Sequence, residues 1–293
     1  MKYIEKHPML MIVVGVIGIS LSAIFVKYST APAVVTAAWR LLWTVILLVP
    51  AAMTKPAVRK ELTALPRKTV LLSLLSGLFL AAHFGFWFES LNHTTVAAST
   101  TIVCTEVIWV CIGFCLFLGG KLSKKAAAAI AVTLLGSLLI AWSDSAAGMG
   151  LYGDILSLIA AIAVAVYTLI GRVVRETAST TAYTTLVYSA CAAALTAVAL
   201  LQGHDLLGFG PAALVVGLLL AVFSTLLGHS IFNWCLKFFS PSFVSATKLC
   251  EPVGAAILAA ILFAEFPTPL QLLGGALILA GVLWYSRLES KGE

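Results

Sequence analysis

Ten long apolar stretches dominate this chain, at residues 8–29, 33–53, 69–91, 95–118, 124–143, 152–171, 181–201, 211–236, 242–264 and 269–286. The hydrocarbon core of a bilayer takes about 20 residues of helix. Inside it every backbone N–H and C=O must be paired within the protein. Unbroken runs of this length fit spanning helices, not the short alternating strands of a membrane barrel. Of the 293 residues, 61% are hydrophobic and only 10% charged, against about 25% charged in soluble domains. A soluble enzyme, a nucleic-acid reader and a disordered protein are thereby excluded. The net charge of +6 reflects basic loops, not a nucleic-acid surface.

The basic residues give an orientation. With the N-terminus inside, the cytoplasmic segments hold Lys2, Lys6, the 55–68 loop (Lys55, Arg59, Lys60, Arg67, Lys68), Lys121, Lys124, Lys125, Arg172, Arg175, Lys237, Arg287 and Lys291, which is 15 of 18 Lys and Arg. Only Lys27 falls outside, and Arg40 and Lys248 lie within spans. This asymmetry predicts that both termini are cytoplasmic. The first apolar run is long enough to span and has no A-x-A-like cleavage site after it, so it reads as a helix and not as a signal peptide. The six cysteines lie in apolar runs without metal-ligand spacing and read as reduced hydrophobes.

The two halves resemble each other. "AHFGFWFESLNHTTVAASTTIVCTEV" aligns with "GHSIFNWCLKFFSPSFVSATKLCEPV", setting His83 beside His229 and Glu106 beside Glu251 at offsets of 146 and 145 residues, and "LLGSLLIAW" matches "ILAGVLWYS". Five spans per repeat is an odd number, so the second half enters the membrane from the opposite side. The expected fold is all-α: ten transmembrane helices formed by two inverted five-helix repeats, residues 1–145 and 146–293. Such repeats place a substrate site near the midplane between the halves.

The segments "AAWRLL", "SLNHTTVAASTTIVCTEV", "GHSIFNWCLKFFSPSFVSATKLCEPVGAAILAAILFAE" and "QLLGGALILAGVL" resemble the ten-span, EamA-repeat exporters of the drug/metabolite transporter superfamily over nearly the whole chain. The resemblance implies alternating-access efflux, coupled to protons or to the substrate's own gradient. Two departures stand in the first half. Val107 replaces the proline that Pro252 keeps after Glu251, and Gly119–Gly120 replaces the acidic residue that Glu265 keeps.

Charged and polar residues inside spans are costly and mark function by default. Glu106, near the middle of span four, needs a polar partner or a proton. Lys248 and Glu251 are three apart and meet on one helix face, as an internal ion pair or as part of a switch, with Pro252 kinking the helix. Arg40 offers a contact to an anion or a buried structural pairing. Glu89 reads as a solvated residue at a span end. His83 and Trp87 share a face, as do His229 and Asn233, and the matched histidines are candidates to line a central cavity. Trp109 and Tyr167 are deep aromatics, suited to cation–π contact or to plain packing. No further ligands accompany the histidines, so no metal site is expected.

No nucleotide-binding loop occurs, no cofactor is implied, and no nucleophile–base constellation points to an enzyme. The expected function is secondary active transport of a small amine-bearing metabolite, an amino acid or amine, across the cell membrane (the inner membrane in a bacterium), by proton-coupled efflux. An importer of a quaternary amine such as choline is the alternative, and a membrane sensor or enzyme the reading from a different class. The expected partners are the bilayer, the substrate and protons, with no nucleic acid, and the protein is a monomer or homodimer.

Overall fold

A computed structural model describes residues 8–94, 96–144, 150–251, 253, 254, 257, 258, 261 and 268–291. Lys2, Lys6, Pro252 and Glu265, which entered the orientation, kink and family readings, lie outside the described residues, as does the expected repeat boundary at 145–146. The helices are α1 (Pro8–Lys27), α2 (Ala33–Met53), α3 (Pro56–Ala64), α4 (Arg67–Ser90), α5 (Val96–Cys104), α6 (Glu106–Phe117), α7 (Lys124–Asp144), α8 (Leu151–Val174), α9 (Thr180–Leu201) and α10 (Gly210–Leu219). A π-helix (Leu220–His229) continues α10 into α11 (Ser230–Cys235), followed by α12 (Pro241–Lys248) and α13 (Pro269–Lys291). No strand occurs among the described residues.

Seven helices of the described residues are long and apolar enough to cross a membrane, and Ile102–Phe117 is a shorter apolar segment. Two features depart from the reading of ten plain spans. The basic 55–68 loop contains the amphipathic helix α3, opened by Pro56 at a position where a missing N–H costs nothing. Span four is divided at Thr105. There the backbone turns tightly, Thr105 N–H donates to the Ile102 carbonyl, and the Thr105 hydroxyl also reaches that carbonyl at 2.6 Å. The second half breaks at the matching place, where Cys250 N–H donates to the Thr247 carbonyl, 145 residues further on. Val107 in place of proline therefore does not spare the first half its break. A threonine bonding back to its own helix relieves the broken ladder instead.

The reciprocity of the halves is clearest where α7 packs along α13. A side chain at Gly136 would strike the Gly274 carbonyl and Ile278, and one at Gly281 would strike the Ala129 carbonyl and Thr133. Each residue of the first pair of contacts lies 145 positions from its counterpart in the second. The two helices thus cross on a pseudo-two-fold axis, with glycines letting the backbones touch. Elsewhere α4 packs on α8 and the π-helix packs on α1. At the latter contact a side chain at Gly18 would begin 2.6 Å from the Phe223 carbonyl oxygen, and one at Gly228 would begin 2.8 Å from the Ile19 side chain.

One apolar cluster, including Leu41, Leu80, Phe84, Val164, Val187 and Leu220, joins α2, α4, α8, α9 and the π-helix. A second, including Ile19, Val107, Phe243, Leu249 and Tyr285, joins α1, α6, α12 and α13. Large apolar side chains such as Leu71, Leu116, Trp142, Ile155 and Leu283 are exposed on the outside of the bundle. An outward-facing apolar coat has lipid as its solvent. The cavity described next lies between the two clusters.

Candidate functional site

The breaks at Thr105 and Cys250 present Glu106 and Glu251 to one small cavity of about 50 Å³. Its lining is drawn from both halves and is largely symmetric. Ile19 matches Val164, Thr100 matches Ser245, Val103 matches Lys248, Cys104 matches Leu249 and Glu106 matches Glu251, each 145 residues apart, while His83 matches His229 at 146. The remaining lining residues, Ser22, Arg40 and Trp87, have no partner of this kind. Lys248 stands where the first half has Val103, so both cations of the cavity break the symmetry.

Lys248 Nζ donates to Glu106 Oε1 at 2.9 Å and forms a nearly buried ion pair between α12 and α6. This corrects the expected pairing of Lys248 with Glu251. Leu249 and Cys250 already depart from the α-helical ladder, so the three-residue spacing no longer sets the two side chains over one another. The carboxylate of Glu251 forms no ion pair with the described residues, and its backbone carbonyl accepts from Ser20 Oγ.

Arg40 is 1% exposed. Its Nε donates to Thr225 Oγ1 at 2.8 Å, its Nη1 to Ser22 Oγ at 3.3 Å, and its guanidinium lies over the Phe84 ring at 4.1 Å. No carboxylate of the described residues lies within salt-bridge reach of it. Thr225 sits in the π-helix, whose wider turn is frequent at functional positions.

His83 Nδ1 lies 3.0 Å from the Ala160 carbonyl. A carbonyl only accepts, so Nδ1 carries the proton and a neutral ring keeps Nε2 as an acceptor. The ring stacks on Trp87 and stands 6.4 Å from the ring of His229. Trp87 Nε1 and Ser245 Oγ are buried without a hydrogen-bond partner.

Seven of the residues singled out from the sequence therefore line this cavity: Arg40, His83, Trp87, Glu106, His229, Lys248 and Glu251. Asn233, Tyr167 and Trp109 do not. Asn233 Nδ2 donates to Tyr167 Oη at 2.6 Å and the Tyr167 ring lies 6.2 Å from that of His229, while Trp109 is half-buried on α6. Glu89 is paired with His93 at 3.0 Å near the end of α4 and lines a separate, mostly apolar groove of about 520 Å³ with Tyr152 and Gln202. Ser22, Thr100 and Ser245 were missed. Ser245 lies three residues before Lys248, so helical spacing from that charge would have found it, and the 145-residue repeat offset from Ser245 leads to Thr100; no spacing pointed to Ser22. Among the described residues no group of His, Cys, Asp or Glu could hold a metal ion.

At the end of the bundle that carries α3, hydrogen bonds tie neighbouring segments together. Ser179 and Ser240 cap α9 and α12, and their N–H groups donate to Glu61 and Glu289 at 2.6 Å. Arg172 donates to the Leu236 carbonyl, and Arg175 to the carbonyls of Asn233 and Ala178.

Comparison with known proteins adds three findings. The model of the EamA-like transporter family matches the chain twice, over residues 7–142 and 151–287. Of the solved structures, 29 chains match. One, titled "Crystal structure of protein", superposes with a TM-score of 0.81 over 97% of this chain and 98% of its own at 15% identity, a likeness of fold alone. No curated protein sequence matches.

Proposed function

We propose that this chain, which belongs to the EamA-like transporter family, is a secondary transporter that moves a small amine-bearing metabolite, an amino acid or amine, outward across the cell membrane by alternating access coupled to protons. The observation that carries the reading is Glu251, a carboxylate that lines the central cavity with no cation of the described residues within salt-bridge distance. An ammonium group supplies that counter-charge. The fold in this reading is ten spans in two inverted repeats divided at 145–146, with both termini and α3 on the cytoplasmic side. The hydrogen-bonded α3 end is then the closed cytoplasmic gate.

The cavity volume supports alternation. About 50 Å³ holds only a few water molecules, far less than the roughly 300 Å³ at the lower end of ligand pockets. The cavity must therefore widen to take a substrate, as it does when one half rocks against the other. Near the cavity the titratable and charged groups are Glu106, Glu251, Lys248, Arg40, His83, His229 and Cys104. Of these, the two carboxylates exchange charge between neutral and negative, as proton coupling requires. A proton on Glu106 frees Lys248, and one on Glu251 releases a bound ammonium.

The test is flux of radiolabelled amino acids and amines in liposomes containing the purified protein, with and without a pH gradient. Saturable flux that a pH gradient accelerates, lost in Glu251→Gln, is the expected result. Saturable flux of an amine that survives Glu251→Gln at the normal rate refutes the assignment of the ammonium site.

A further inference from the structure

Helices α4 and α9 touch at one point and part further along. A side chain at Gly77 would strike the Val187 carbonyl and Ala190, whereas one at Gly85, about two turns on, would meet only the tip of Leu195 at 3.8 Å. The gap between them is the groove of about 520 Å³ that holds Glu89, well within the range of ligand sites. Its wall on α4 is Leu78, Ala81, Ala82, Gly85, Phe86 and Glu89, one helical face by its spacing of three and four. Ala81, Ala82, Gly85 and, on α9, Ala194 are too small to fill it. From Leu78 to Glu89 is 11 residues, about 16 Å of helix, or close to half of a hydrocarbon core of about 30 Å. The groove is open on the outside of the bundle, where Leu78, Phe86 and Val198 are exposed. It is apolar up to one end, where Glu89, Tyr152 and Gln202 gather at the tips of α4, α8 and α9.

From this geometry we infer that the groove binds one membrane phospholipid with an ammonium headgroup, its acyl chain lying between α4 and α9 in the leaflet away from α3 and its ammonium on Glu89. An acyl chain of that leaflet runs from the interface to the midplane, the depth that the groove covers. The side chain of Glu89 is 46% exposed. Its two oxygens accept from His93 Nε2 at 3.0 Å and Asn92 Nδ2 at 3.4 Å, one each, which leaves a lone-pair position on both for an ammonium. The neighbouring charges have the same sign. Asp154 stands in the first turn of α8 and Asp205 just beyond α9, and among the described residues the loops and helix ends on this side carry one Lys or Arg, Lys27. The Tyr152 hydroxyl and the Gln202 amide are donors for phosphate oxygens, and a tyrosine with an apolar body and a polar tip suits the interface. A soluble amine matches the charge and leaves the apolar length unfilled. An anionic phospholipid fills the length and brings no cation to offset its phosphate beside Glu89. This site faces the bilayer, is distinct from the central cavity, and does not depend on what the protein transports. A chain held there props α4, which also carries His83 and Trp87 of the central cavity, against α9.

The experiment gives the purified full-length protein equal amounts of phosphatidylethanolamine and phosphatidylglycerol with the same acyl chains, at a lipid level where a single adduct dominates. Native mass spectrometry reads which lipid is bound. The wild type favours phosphatidylethanolamine about three-fold, the worth of one exposed charge contact. Glu89→Gln brings the ratio to about one while lipid still binds. Gly85→Leu, which puts a side chain into the open space of the groove, weakens the first adduct of both lipids about ten-fold. Equal binding of the two lipids by the wild type, or a preference that survives Glu89→Gln, overturns the headgroup contact and with it the proposal. An undiminished adduct in Gly85→Leu overturns the groove as the site. Should Gly85→Leu not fold, a phosphatidylethanolamine with a photoreactive diazirine at mid-chain decides on the wild type alone. Labelling of α4 or α9 near Ala82 or Ala194 is the expected result, and labelling confined to other helices overturns the proposal. None of these outcomes bears on the amine site at Glu251, which liposome flux tests by itself.

Discussion

Replacing Lys248 by methionine leaves Glu106 alone in the interior. The pair is separated by 2.9 Å, with only 12% and 7% of the two side chains exposed. At an effective dielectric constant of 20 its attraction is roughly 6 kcal/mol, most of it offset by the loss of hydration of both ions. Removing one member forfeits the attraction while the survivor's burial remains, a cost of about 3–5 kcal/mol. Glu106→Gln is milder, about 1–2 kcal/mol, because the amide oxygen can still accept from Lys248 Nζ, which also lies 5.7 Å from the Phe232 ring. Removing both charges, as Lys248→Met with Glu106→Gln, then recovers most of the loss, so the double mutant is more stable than Lys248→Met alone. Unfolding free energies of the four proteins, measured by denaturation in mixed micelles, test this as a double-mutant cycle. If Lys248→Met costs less than about 1 kcal/mol, or if the double mutant shows the sum of the single losses, the pair is not the neutralising contact described here.

At the crossing of α7 and α13, Gly281→Ala places a methyl group against the Ala129 carbonyl and Thr133, and Gly136→Ala places one against the Gly274 carbonyl. Each lowers stability by roughly 1–3 kcal/mol, whereas Gly85→Ala, whose nearest neighbour is 3.8 Å away, is neutral or slightly stabilising in the same unfolding assay. Glu61→Ala and Glu289→Ala each remove the acceptor for a helix-capping serine N–H, at about 1 kcal/mol. Hydrogen exchange at Ser179 and Ser240 rises in the respective variant and not in the other. Cys104 lines the cavity and is nearly buried, while Cys115 is exposed on the apolar outside. Bound substrate slows maleimide labelling of Cys104 about ten-fold by mass action and leaves Cys115 unchanged, as peptide mass spectrometry of the labelled protein will show.

The elements were legible because a membrane span announces itself by length and apolarity, and each predicted run from 8–29 to 211–236 carries helix close to its expected ends. The break at Thr105 was not legible, since the threonine hydroxyl turns back to a carbonyl three residues earlier, and Thr44, Thr133 and Thr247 turn back to carbonyls three or four residues earlier within helices, so the residue type does not mark the break. Helix α3 escaped because a nine-residue, polar, basic segment is too short and too hydrophilic to stand out from a loop. At the site, charge in an apolar run pointed to Arg40, Glu106, Lys248 and Glu251, because the cost of burying a charge does not depend on the fold. Partnership was another matter. Lys248 has Glu251 three residues away and Glu106 142 residues away, and it bonds to the distant one. Asn233 had the same spacing from His229 that His83 has from Trp87, yet the Tyr167 hydroxyl captured it. Such outcomes turn on distances between helices, which helical periodicity does not contain.

The pattern of symmetry and its violation carries a mechanistic consequence. In the alternating-access reading proposed above, a cavity lined by matched residues, on an axis where Gly136 and Gly281 make reciprocal contacts, would offer similar packing whichever half has moved, and so similar energies for opening to either side. That near-degeneracy is what alternating access needs, because an equilibrium strongly biased to one side is shifted only by a ligand with a large differential affinity. The charges obey no such symmetry. Val103 stands opposite Lys248, and Arg40 and Trp87 stand alone in the lining. The ion pair therefore ties Glu106, and not Glu251, to a lysine, so the two matched carboxylates have different work. Glu106 is held by the protein, and in the function proposed above Glu251 is the one left for the substrate. Exchanging the lysine between halves, as Val103→Lys with Lys248→Val, would hand Glu106 the free role and leave the frame intact.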